Sequence, residues 1–359
     1  MSRYTAVHAN TKGPGDARPT ALQIIKDEGL EEKRQGQIFV ITGTSSGIGI
    51  ETVRAIAATG ATLYLTARDL DKAKVALDGI FDPSRMELFQ MDQGSLASVR
   101  AAAAAILNKT SKIHCLINNA GIMAIPDLRF TADGHELQFG TNHLSHFLFF
   151  QLLKPALLAA ASSELPSRVV VLSSSSHNIH GINDSDNYAF ERGNYDANVA
   201  YGQSKTANIY MANEIERRYG EKYLHATSLH PGIISTGLTR HMPPDAFKGM
   251  EHIYPTMKSV EQGAATTVWA AVGDAWKHDG GKYLANCDVA KPSVGGEDKM
   301  ITPAYASYAY DVEKAARLWK DSLKLVGLED DDWRMMSRPK GSRQKSYLCR
   351  FGVTVGWLC

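Results

Sequence analysis

The chain has 359 residues, 44% of them hydrophobic, which is enough for one large domain with a real core. Its 39 basic and 38 acidic side chains leave a formal charge of +1, so no global field recruits nucleic acid or an anionic membrane. Cys115, Cys287, Cys349 and Cys359 lack the close spacing of a metal or redox motif, residues 1–33 lack the apolar block of a signal peptide, and the longest apolar stretch, 147–161, is interrupted by Gln151, Lys154 and Pro155. A cytoplasmic protein with no metal and no integral membrane segment is expected.

In chain order, residues 1–35 start Gly/Pro-rich, carry one amphipathic piece at 22–30, and predict a loosely ordered arm. From residue 37, short β-branched or apolar runs alternate with helical patterns. The runs predict strands at 38–42, 62–67, 86–92, 113–118, 168–173, 224–230 and, more weakly, 282–285. Helical spacing covers 48–58, 71–77, 95–107, a long stretch near 135–160, and 199–219. That alternation predicts the α/β class: residues 36–328 as a single Rossmann-type doubly wound parallel sheet of about seven strands flanked by helices. Residues 329–359 turn acidic and then basic, and predict a solvated, disordered tail.

The first strand runs into Thr42-Gly43-Thr44-Ser45-Ser46-Gly47-Ile48-Gly49 and then a helix. In that context glycines let the backbone turn tightly and approach a pyrophosphate, whose charge the following helix N-terminus stabilises. Gly43, Ser46, Gly47, Ile48 and Gly49 are therefore candidate cofactor contacts. The second strand ends Thr66-Ala67-Arg68-Asp69, where an adenosine ribose would lie. Arg68 can pair with a 2′-phosphate, favouring NADP(H) over NAD(H), or Asp69 can neutralise it in an ion pair.

Tyr201 and Lys205 lie four apart in a helical stretch and so share one face. A phenol titrating near 10 is a poor acid or base at neutral pH, and a nearby ammonium lowers it, so the pair suits proton transfer at a carbonyl or alcohol oxygen. Ser173-Ser174-Ser175-Ser176 closes the fifth strand at its carboxyl end, where open α/β sheets place ligands.

The Gly-x-x-x-Gly-Ile-Gly spacing, Asn118-Asn119-Ala120-Gly121, Thr141-Asn142-His143, the serine run, Tyr201-x-x-x-Lys205 and His230-Pro231-Gly232 occur in an order that resembles the short-chain dehydrogenase/reductase family over about residues 36–290. The wording looks most like its retinol dehydrogenase and WW-domain oxidoreductase branch. The resemblance implies NADP(H) or NAD(H), no metal, and lipophilic alcohols, aldehydes or ketones as substrates, retinoid-, steroid- or polyketide-like. It implies a catalytic set of Asn142, Ser174, Tyr201 and Lys205, with Asn142 holding a water and Ser173, Ser175 and Ser176 left as turn-formers. Tyr201 and Lys205 are cofactor contacts as well, Lys205 reaching the nicotinamide ribose, and Asp92, Asn119, Ile234 and Thr236 join them. Homo-oligomers are common in the family. Met91-Asp92-Gln93 departs from the apolar flank usual there, and the N-terminal arm carries neither a WW domain nor an anchor. The irregular segment 235–256 is expected to be a mobile lid over the substrate. Two other readings stay open: a cofactor-binding protein without turnover, and a lyase or epimerase that regenerates its cofactor.

Overall fold

The computed structural model describes residues 2–242, 248–295 and 301–330. Eight strands form one sheet in the order β3-β2-β1-β4-β5-β6-β7-β8. Strands β1 (Ile38–Thr42), β2 (Thr62–Ala67), β3 (Met86–Gln90) and β4 (Cys115–Asn118) make one half. Strands β5 (Ser167–Leu172), β6 (Leu224–His230), β7 (Tyr283–Ala285) and the two-residue β8 (Asp288–Val289) make the other. All pairings are parallel except that of β7 with β8. The seven expected strands are present. The third is shorter than expected, because the chain leaves the ladder after Gln90 and Asp92 enters a turn, accepting from the Gly94 N–H at 2.9 Å.

Both faces of the sheet are covered, which is why its strands read as continuous apolar runs rather than alternating ones. Helices α1 (Ala21–Asp27), α2 (Ile48–Ala57), α8 (Val260–Gly263) and α9 (Ala265–Val272) lie together on one side, with Ile56, Val268 and Trp269 in their core. The short α3 (Leu70–Ala76) follows β2, and α4 (Leu96–Leu107) packs on α6 (Ser145–Ala160) on the other face. There α7 (Ala197–Tyr219) and α10 (Val312–Leu325) add Met211, Ile215, Leu318 and Trp319 to a core shared with Phe147 and Phe150. A three-residue turn, α5 (Leu137–Phe139), leads through a π-helical turn at Gly140–Leu144 into α6.

Two regions differ from expectation. Residues 2–35 are not a loose arm: Tyr4, Ile24 and Ile25 are buried, and α1, capped by the Thr20 hydroxyl, lies on α2 and α9. Burying side chains of this size stabilises by about 1.5–3 kcal/mol each, which outweighs the polar bias of the segment. At the other end, α10 was not anticipated. Its Ala315, Leu318, Trp319, Ser322 and Leu323 form one buried stripe, and the Arg218 guanidinium sits 4.6 Å from the centre of the Trp319 ring. The expected charged tail lies outside the described residues beyond Asp330.

Candidate active site

The sheet order reverses between β1 and β4, so the loops leaving their carboxyl ends diverge and leave a crevice. A cleft of ≈ 1950 Å³ runs from that crevice across the ends of β5 and β6. Every expected site residue except Asn142 lines it.

At the crevice, Gly43 and Gly47 have φ of 72° and 62°, the left-handed region that favours glycine. A Cβ on Gly43 would stand 2.7 Å from the Ala120 Cα, and one on Gly49 would stand 2.2 Å from the Gly43 carbonyl oxygen. Those two glycines serve close packing of the turn against 119–121. Gly47 instead faces Thr236 across the cleft, where a Cβ would be 3.6 Å away. It begins α2 with no side-chain cap, whereas α3, α4, α7 and α10 are capped by Asp69, Ser95, Asp196 and Asp311. The first N–H groups of α2 thus suit an anion, and the turn fits a dinucleotide pyrophosphate.

Thr42 holds this turn to its neighbour: its hydroxyl accepts from the N–H groups of Asn119 at 2.9 Å and Ala120 at 3.0 Å, and pairs with His146 Nε2 at 2.9 Å. Asn119 lines the cleft, but its amide nitrogen donates to the Thr42 and Gly43 carbonyls at 2.8 and 3.1 Å, so the side chain braces the turn. At the end of β2 the Asp69 carboxylate accepts from the Lys72 N–H at 2.9 Å, and among the described residues no ion pair joins it to Arg68. Arg68 and Lys72 both line the cleft. Lys72 was not singled out in the sequence, although its place four residues after Arg68 carried the signal.

The catalytic candidates come from four elements. Ser174 follows β5, and its Oγ accepts from the Ser176 N–H at 3.1 Å. Ser173 turns inward, donating to the Lys205 carbonyl at 2.7 Å, which fastens β5 to α7. Tyr201 and Lys205 lie one turn apart on α7, with Nζ 5.4 Å from the centre of the phenol ring. Burial pushes the Tyr201 phenol up to about 12, and its hydrogen bond with Ser174 pulls the other way. The expected lowering by the lysine is not what this arrangement gives. Lys205 Nζ donates to the Leu172 carbonyl at 3.2 Å, and burial pulls that ammonium down to about 8.

Asn142 sits in the π-helical turn, a geometry frequent at functional sites. Its Oδ1 accepts from the Ile122 N–H at 2.9 Å, while Nδ2 donates to the Ile122 carbonyl at 3.0 Å and Ser204 Oγ at 2.9 Å. The side chain is therefore spent on holding the 121–122 backbone. Its carbonyl pairs with His146 Nδ1 at 3.0 Å, and burial pulls that imidazole down to about 4, so a neutral ring joins Asn142 to Thr42. No sequence signal marked this link, because its partners lie about a hundred residues apart.

A doubly wound sheet with a glycine turn at its reversal, and a serine, tyrosine and lysine grouped beside it, defines a dinucleotide-dependent oxidoreductase. Residues 37–247 match the family model described as short chain dehydrogenase. The chain is 46% identical to short-chain dehydrogenase/reductase prx1 of Penicillium rubens, covering 91% of this chain and 96% of the relative. It is 42% identical to oxidoreductase calI of Penicillium decumbens, covering 92% and 99%. A crystal structure from Mycobacterium paratuberculosis superimposes with a TM-score of 0.62 at 31% identity, covering 82% of this chain and 95% of that one. The chain belongs to the short-chain dehydrogenase/reductase family, whose members bind NAD(P)(H) and act on alcohol and carbonyl groups. Among the described residues no helix is long and apolar enough to cross a membrane.

Proposed function

We propose that this protein interconverts a carbonyl and an alcohol on a lipophilic small molecule, with NADP(H) as cofactor and Tyr201 as the acid and base. The observation that carries the reading is the grouping of Ser174, Tyr201 and Lys205 in one cleft that is lined by the cationic Arg68 and Lys72 after β2 and by apolar side chains elsewhere. After β2, Arg68 stands free of Asp69 beside Lys72, which suits a 2′-phosphate. Elsewhere in the cleft Ile122, Met123, Ile125 and Ile253 offer apolar lining for a lipophilic body, with Arg129, Arg240 and His241 also lining it.

The residues present fit the dinucleotide. The 43–49 turn and the start of α2 would hold the pyrophosphate, Asp92 the adenine end, Lys205 the nicotinamide ribose, and Ile234 and Thr236 the ring's neighbourhood. When bound, the nicotinamide supplies or takes up the hydride. Tyr201, titrating at about 12, holds its proton at neutral pH and gives it to the carbonyl oxygen during reduction. Ser174 Oγ accepts from Ser176 N–H and donates to Ser176 Oγ at 3.2 Å; turning that proton to the substrate oxygen would give a second donor that stabilises the developing charge. Asn142 keeps the 121–122 backbone in place beside Lys205.

The segment 235–256, which holds 3-10 turns at Gly237–His241 and Glu251–Thr256, closes over the substrate in this reading, with its carboxyl end anchored where Gly13 and Arg18 hold the Pro255 and Thr256 carbonyls. Residues 243–247 within it lie outside the described residues. The test is nicotinamide absorbance of the purified protein with a panel of lipophilic ketones and aldehydes, NADPH and NADH in parallel. Turnover preferring NADPH is expected. Tight NADPH binding without turnover on any compound would overturn the reading in favour of a cofactor-binding protein.

A further inference from the structure

The N-terminal segment reaches the cleft from behind. Arg18 is almost wholly buried, with 2% of its side chain exposed, and its Nε pairs with Asp16 Oδ1 at 2.7 Å. Its remaining nitrogens do not meet carboxylates. Nη1 donates to the Thr256 carbonyl at 2.8 Å, and Nη2 donates to the carbonyls of Met257 and, at 3.0 Å, Gly13. Gln262 locks the same segment, donating to the carbonyls of Asp16 at 3.0 Å and Arg18 at 3.1 Å. Gly13 lies against the Tyr254 ring so closely that a Cβ there would be 2.7 Å from it, and its N–H donates to the Pro255 carbonyl at 3.0 Å.

The clamped residues bear on the loop after β6. Ile253, Tyr254 and Met257 line the cleft. The next residue, Lys258, is buried; its N–H donates to the Ile233 carbonyl at 2.9 Å and its Nζ to the Pro231 carbonyl at 3.2 Å. Ile234 pairs with Lys258 as an isolated parallel bridge, and a Cβ on Gly232 would be 2.7 Å from the Lys258 side chain. A continuous set of short contacts therefore runs from Arg18 through residues 256–258 to the loop carrying Ile234 and Thr236.

We propose that Arg18 is a positioning residue for the active site, fixing the carbonyls of residues 256 and 257 so that Lys258 holds the Pro231–Gly232–Ile233 loop against the cofactor end of the cleft. This rests on the proposed reading of the cleft, but Arg18 and its direct partners, residues 13, 16 and 255–257, lie outside residues 37–247 that the family model matches. Guanidinium geometry matters, because one planar group serves four backbone carbonyls, those of Gly13, Pro255, Thr256 and Met257, and one carboxylate at once. Active-site loops held only by their own turns lose the sub-ångström placement that catalysis uses, and an outer brace restores it.

The experiment compares Arg18→Ala, Arg18→Lys and Ile24→Val, the last a core change in α1 away from the cleft. kcat and KM are measured well below each Tm, together with amide hydrogen exchange at 231–236 and 255–258 in the NADPH-bound protein. For Arg18→Ala, kcat/KM is expected to fall about tenfold or more, and exchange in both segments to quicken by a similar factor. Arg18→Lys recovers part of both, and Ile24→Val lowers Tm while moving neither. The proposal is overturned if Arg18→Ala stays within about twofold on both readouts, or if all variants change only in proportion to Tm. Should Arg18→Ala fail to fold, Gly13→Ala, which pushes on Tyr254, takes its place under the same criteria. If the wild-type protein turns over no carbonyl, faster exchange in Arg18→Ala still supports the positioning role while the enzymatic reading falls.

Discussion

At the crevice the 43–49 turn meets the 119–121 turn backbone to backbone, whereas elsewhere the cleft, including the stretch proposed to take the substrate, is lined by side chains such as Met123, Ile253 and Tyr254. The first surface has no free volume: a single Cβ on Gly49 would fall 2.2 Å from a carbonyl oxygen. The second can be resized by changing one side chain for another without moving the main chain. A fold built this way keeps its cofactor chemistry while its substrate wall is open to change.

That contrast can be broken most directly at the chemistry itself. Tyr201→Phe should lower kcat/KM by about 10²–10⁴-fold while leaving NADPH affinity unchanged, because it removes the proton-bearing hydroxyl and keeps the ring. A loss of NADPH binding in that variant would place Tyr201 in the cofactor's support rather than in proton transfer. Gly49→Ala should weaken NADPH by about 100-fold, readable by fluorescence titration, since one added methyl must displace backbone. Affinity within a few-fold of wild type would show that the turn yields after all.

Arg68→Ala probes the cationic lining and should weaken NADPH by about tenfold with NADH little changed, the size of one lost charge-assisted hydrogen bond. Equal losses for both cofactors would remove the 2′-phosphate from its role. The gentlest probe is pH. Lys205 in the free protein titrates at about 8, below its usual range, and Tyr201 at about 12, above its own. kcat/KM for reduction should therefore halve near pH 8 and decline above it as the lysine loses its proton, with Tyr201 still protonated. The same depression has a stability sign. Between pH 8 and the unfolded lysine value of about 10.5 the unfolded chain binds the extra proton, so stability rises with pH across that window. An alkaline limb appearing only near the tyrosine's value would exclude Lys205 as its source.

The parts of the molecule that the sequence made legible are those whose information is local. Val169, Val170 and Val171 report a strand buried on both faces, and Gly43, Gly47 and Gly49 mark the positions where close packing or a left-handed backbone favours glycine. The i, i+4 spacing of Tyr201 and Lys205 places both on one helix face wherever that helix lies. What escaped is information held between distant residues. Nothing near Arg18 shows that residues 256 and 257 will supply its acceptors, and nothing near Thr42 shows that His146 will face it. The stripe of α10 was local and readable at 315, 318, 319, 322 and 323, yet within residues 36–328 no helical spacing beyond 219 was drawn from the sequence. The lysine's effect on Tyr201 escaped for a different reason: spacing puts the two on one face, while burial, which only the fold reveals, decides the direction of both titrations.

The clamp between Arg18 and Thr256 also sets a timetable, since the two are 238 residues apart in the chain. On a ribosome adding about 5–20 residues per second, the segment around Arg18 emerges roughly 10–50 s before its acceptors exist. For that interval a guanidinium destined for the interior stays in water, and the β1 to β4 half of the sheet can assemble around its own glycine turn without it. The nucleotide-binding half is thus made first, and although α1 can already pack on α2, Arg18 meets its acceptors at 256 and 257 only after the chain has grown past them.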